Sequence, residues 1–83
     1  MAKVNITAEA NEQMAELPLP MQTRMQAVIF RLAGWPAVSG AKPLRGSLKG
    51  SFRVRTGDYR LIFTISGGTV TIWKIGYRGD VYD

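Results

Sequence analysis

The chain contains no cysteine and no histidine. Without cysteine there is no disulfide and no thiolate metal site, and a reducing cytoplasm is the expected compartment. Without histidine the commonest metal ligand is missing, along with the side chain that usually exchanges protons near neutral pH. Neither a metal nor another cofactor is therefore expected. No apolar run is long enough to span a bilayer, so no membrane role is expected. The start lacks a basic stretch followed by an apolar run, so no signal peptide is expected. Acidic residues are scarce in the second half. Residues 1–40 hold three basic and three acidic residues, whereas residues 41–83 hold eight basic and three acidic, which accounts for the whole net charge of +5. A one-sided basic excess points to a polyanion or an acidic protein partner.

What is present fits one small domain over residues 1–83, with an ordinary apolar fraction and a core of modest size. Lys3 to Ile6 alternates like a short strand. Thr7 is a good helix N-cap with Glu9 in the first turn, and Ala10, Met14 and Leu17 recur at helical spacing. Pro18-Leu19-Pro20 ends that helix, and Pro20 suits the first position of a second one. Met21, Met25, Val28, Ile29 and Leu32 form its apolar stripe, with Gly34 as the expected C-cap. The methionines read as core filler. Residues 34–51 read as a connection, with Trp35 packing back on the helices. Ser66-Gly67-Gly68 is a second hairpin turn before a last strand, Thr69 to Ile75. In that strand Val70 and Ile72 have one parity and Trp73 and Ile75 the other. Either a bulge intervenes or both faces are covered. Trp73 is expected to be buried rather than to offer a stacking surface.

The most informative stretch is KGSFRVRTGDYRLIF, Lys49 to Phe63. Thr56-Gly57-Asp58 is turn chemistry between two strands. Pairing Arg55 with Arg60 sets Val54 against Leu61, Phe52 against Phe63 and Arg53 against Ile62. The apolar set then shares one face, and Arg53, Arg55 and Arg60 share the other. Like charges directly opposite one another destabilise a sheet pair. The arginine face is either a solvated outer surface or a site for an anion. The order strand, helix, helix, three strands gives an α+β fold. An N-terminal strand and an antiparallel helical hairpin pack on one face of a small antiparallel sheet.

The segments Leu44 to Arg55, Gly57 to Phe63 and Ile75 to Tyr82 resemble the RelE/ParE superfamily of toxin–antitoxin toxins, and the RelE branch more than the gyrase-poisoning ParE branch. The resemblance implies a ribosome-dependent endoribonuclease, an mRNA interferase that blocks translation by cutting mRNA in the A site. The 2′-hydroxyl attacks the adjacent phosphate. It implies catalytic roles for Arg53, Arg55, Arg60 and Arg78, and for Tyr82 near the C-terminus. Lys42, Arg45 and Lys49 would attract phosphates, and Tyr77 would offer a ring for stacking. The family often carries lysine at the positions of Arg53 and Arg55 and histidine at that of Tyr77. Arginine stays protonated, so Tyr82, its pKa lowered by nearby arginines, becomes the expected proton carrier. Lys49, Asp80 or a ribosomal group are the other candidates. The resemblance implies a cognate antitoxin as partner, besides ribosome and mRNA, and operator DNA only through the antitoxin complex. Two alternatives stay open: a ParE-like DNA gyrase inhibitor without nuclease activity, and a catalytically weak member acting through antitoxin binding and operon repression.

Overall fold

A computed structural model describes residues 2–77 and 79. Arg78, Asp80 and Tyr82 lie outside the described residues. The chain runs β1 (Lys3–Ile6), α1 (Ala8–Ala15), α2 (Leu19–Leu32), β2 (Lys42–Pro43), a 3₁₀ turn (Gly46–Leu48), β3 (Ser51–Thr56), β4 (Tyr59–Ser66) and β5 (Thr69–Tyr77). The strands form one sheet in the order β1-β5-β4-β3-β2. The α+β class and the order of the main elements are as the sequence implies.

Local chemistry sets the elements. Thr7 Oγ1 accepts from the Ala10 N–H at 3.1 Å and caps α1. At the other end Gln22 Nε2 donates to the carbonyls of Ala15 and Leu17, at 3.1 and 3.0 Å. That satisfies acceptors left over where α1 stops. α2 begins one residue earlier than expected, at Leu19, with Pro20 in its first turn. Gly34 does not form a left-handed cap. The chain tightens instead into i→i+3 turns, with Gly34 N–H donating to Arg31 and Trp35 N–H to Leu32.

The core lies between the two helices and one sheet face. Met25, Val28 and Leu32 of α2 bury against Val54, Leu61, Phe63, Val70, Ile72 and Ile75. Met14 and Met21 pack around this cluster, as filler should. Trp35 packs edge-on against Phe52 and Phe63 of the sheet, with centroids 5.1 and 5.6 Å away. The outer side of α2 leaves Leu19 and Phe30 exposed.

The sheet differs from expectation in two ways, and a third feature decides between two alternatives that the sequence left open. First, it is mixed, because β1 pairs in parallel with β5, Val4 opposite Val70 and Ile6 opposite Ile72. Second, the connection contributes an edge strand: Lys42 pairs with Arg53 and Pro43 with Phe52. Proline is tolerated there because an edge strand needs no donor on its outer side. Third, a bulge breaks the β4–β5 register between Ile62 and Phe63. It resolves the parity conflict. Ile72 pairs with Phe63 and Ile75 with Leu61, so both point to the core across the irregularity.

Candidate functional site

The β3–β4 register is the one that the apolar pattern demands: Phe52 opposite Phe63, Arg53 opposite Ile62, Val54 opposite Leu61 and Arg55 opposite Arg60. Thr56 pairs with Tyr59 across Gly57-Asp58, and only Gly57 takes a positive φ, +61°. Positive φ at the first central residue alone is the pattern of a type II′ turn, whose twist matches its strands. Because Val54, Leu61 and Phe63 are buried under the helices, alternation sends Arg53, Arg55 and Arg60 to the opposite, helix-free face.

Two rows of side chains cross that face. Near the β3–β4 turn, Arg55 and Arg60 sit side by side, and β5 continues the row with Gly76. Glycine carries no β-carbon to crowd Arg60 on that flank. In the next row Lys42 of β2 adjoins Arg53, followed by Ile62 and then Lys74. Lys74 Nζ stands 3.6 Å from a Glu9 carboxylate oxygen on α1, a solvent-exposed pair. Its charge is therefore partly offset at the edge of the face. Arg55 is exposed, whereas Arg53 and Arg60 are half-buried, and the Nε of Arg60 is shielded from solvent. Ile62 is only 5% exposed although it lies outside the main core. Neighbouring side chains of the open face cover it, so this is a structured surface and not a row of free chains.

The structure distributes the remaining sequence-derived candidates. Arg45 and Lys49 flank the 3₁₀ turn and are exposed next to β3. Tyr77 pairs with Tyr59 and stands edge-on to it at 5.6 Å. This puts Tyr77 on the helix side of the sheet. There it lines an open cleft of about 280 Å³ with Gln13, Glu16, Leu17, Tyr59, Ile75 and Gly76. Its ring is not brought to the arginine face. Arg78 and Tyr82 lie outside the described residues.

Trp73 corrects the sequence reading. It is 48% exposed, and its Nε1 donates to Thr64 Oγ1 at 2.9 Å. Thr64 shares its face with Arg60 and Ile62, so the indole lies on the arginine face rather than in the core. Alternation from the buried Val70 and Ile72 sends it there, and the bulge that follows returns Ile75 to the core. The parity break at Trp73 was the available signal, and it could have been read this way had the bulge been chosen over two-sided cover.

A basic, partly apolar sheet face of this shape invites comparison with known proteins. The family model for the ParE toxin of the type II toxin–antitoxin system parDE matches residues 4–82. Toxin RelG of Mycobacterium tuberculosis is 31% identical over 81 residues, covering 95% of this chain and 93% of its own length. The toxin–antitoxin complex RelBE2 from the same organism contains a chain similar at a TM-score of 0.81 and 31% identity, over 93% of this chain and 98% of that one. The isolated E. coli RelE toxin matches at a TM-score of 0.77 and 15% identity, over 93% and 84% of the two chains, and speaks for the fold alone. The chain belongs to the RelE/ParE superfamily of type II toxin–antitoxin toxins.

Proposed function

We propose that the protein is a RelE-type toxin that cuts mRNA in the ribosomal A site. One observation carries this reading: the strand register that gathers Arg53, Arg55, Arg60 and Lys42 on a helix-free face. Arginine forks match phosphate oxygens, and phosphoryl transfer depends largely on positioning and on neutralising charge as it develops. In this reading the message's 2′-hydroxyl attacks the adjacent phosphorus and the bond to the 5′-oxygen breaks. The products are a 2′,3′-cyclic phosphate and a 5′-hydroxyl. One proton leaves the 2′-oxygen and one is delivered to the departing 5′-oxygen. Arg53, Arg55 and Arg60 hold the phosphate and stabilise its extra charge, but remain protonated and accept nothing. The resemblance gives Arg78 a share in that charge and Tyr82 a place against the nucleotide, and Tyr82 is also the candidate for the proton transfer because the arginines cannot perform it.

Arg45 and Lys49 add diffuse attraction for the backbone beside β3. Tyr77, on the helix side, receives no base in this scheme. Similar chains have been solved within complexes named RelBE2 and, for E. coli, RelBE. By that likeness a cognate antitoxin partners this chain, and operator DNA is reached only through that complex. The reading places the protein in the cytoplasm, with the ribosomes.

Primer extension on mRNA tests the reading, with and without translating ribosomes. The expected result is new stops within codons that appear only with ribosomes. Intact message in both arms overturns the proposal. A second reading, ParE-like inhibition of DNA gyrase without cleavage, draws on the description of the matching family model. It predicts intact message together with inhibited DNA supercoiling.

A further inference from the structure

We infer that Trp73 is the stacking platform for a base of the message next to the phosphate held by the arginines. This rests on the nuclease reading above and assigns a nucleotide subsite within it. The indole is half exposed, yet its one polar atom is committed to Thr64 at 2.9 Å. What it turns to solvent is therefore carbon surface, on the same sheet face as the arginines and to one side of them. An exposed indole in such a place has the two properties that single-stranded RNA sites combine, a π-face for a base and a positive track for the backbone.

The placement fits a base rather than the reacting phosphate. Thr64 lies four residues along β4 from Arg60, about 13 Å at strand spacing, and Ile62 intervenes. Arg53 is closer, because it pairs with Ile62 one strand over. A neighbouring nucleotide can thus lay its base on the indole while Arg53 and Arg60 hold the phosphate at the turn end. The hydrogen bond to Thr64 fixes the ring on the sheet, so little side-chain freedom is lost on stacking. Alternation sets Trp73 on the face opposite the buried Ile72, and the bulge then lets Ile75 return to the core.

The test is single-turnover cleavage of message on programmed ribosomes, run over a range of protein concentrations. It compares the parent with Trp73→Phe and Trp73→Leu. Leucine keeps an apolar side chain at this position and removes the aromatic face, and thermal melting of each variant confirms the fold. The expected result is a half-saturating concentration roughly 5- to 150-fold higher for Trp73→Leu, with Trp73→Phe close to the parent, as for the loss of one stacked base. A leucine variant that cleaves like the parent overturns the inference and leaves the indole to the packing of the sheet face or to a protein partner. A phenylalanine variant as impaired as leucine also overturns it, since a ring alone should suffice. A parent that does not cleave on ribosomes overturns the nuclease reading, and this subsite with it.

Discussion

Arg55 and Arg60 face each other across a sheet pair, and the two have different surroundings. Arg55 is exposed, so its contribution to the fold is small. Arg60 is half-buried with its Nε shielded, so part of its stem is packed against the sheet face. Like charges at directly paired positions oppose folding. Arg55→Thr removes that repulsion and places a β-branched residue in a strand. The expected outcome is unchanged or higher stability, by up to roughly 1 kcal/mol in urea unfolding, together with loss of cleavage. Lower stability would mean that the pair is not repulsive in the folded protein. Arg60→Lys keeps the charge and loses the planar fork. It should fold normally and cleave poorly, whereas Arg60→Ala should also lose stability through its buried stem, at about 0.8 kcal/mol per methylene no longer covered. This arginine face was legible from the sequence because a strand has period two. Once Val54, Leu61 and Phe63 are assigned to the core, no freedom remains for Arg53, Arg55 and Arg60.

At the scale of elements, what escaped the sequence depends on contacts between distant segments. Alternation in β1 gives a strand but no direction of pairing, so its parallel alignment with β5 was not readable from Lys3 to Ile6. Lys42-Pro43 is too short to carry a pattern, and it becomes a strand only because β3 offers an edge. The bulge was visible as a conflict of parity, but the exposure of Trp73 depended on whether anything covers the second face of β5, which no local pattern tells. The helix–strand contact at the end of β5 is another long-range feature. Gln13 Oε1 of α1 accepts from the Ile75 N–H at 2.8 Å, beyond the point where β1 has ended. α1 thus stands in for a neighbouring strand at the edge of β5, close to the Arg60–Gly76 row. Gln13→Ala would leave this partly buried donor without its acceptor, a change worth about 1–3 kcal/mol. Urea denaturation should register that loss, and Gln13→Glu, which keeps an acceptor, should recover most of it. Equal stability of Gln13→Ala and the parent would show that water replaces the glutamine without cost.

The whole molecule is electrically lopsided: the helices and the first strand are balanced in charge, and the excess lies in the later part of the chain. The fold converts this asymmetry of sequence into an asymmetry of faces. Lys42, Arg53, Arg55 and Arg60 share the sheet face that the helices leave open, and Arg31 lies on the helix layer. Lys74 is left out of the count because Glu9 stands beside it. If each of the four neutralises one phosphate of single-stranded message, counterion release gives a slope of about −2.8 in log affinity against log salt, so that raising salt from about 50 to 200 mM weakens binding about 50-fold. Removing one of the four should then lower the magnitude of the slope by about 0.7. Arg55→Thr should do this and Arg31→Gln should not, although both lower the net charge by one. Titrations of non-cleavable message on ribosomes at several salt concentrations separate the two cases. Equal changes of slope for both variants would mean that net charge alone drives association. A change confined to Arg55→Thr would tie the electrostatics to the sheet face that the strand register builds.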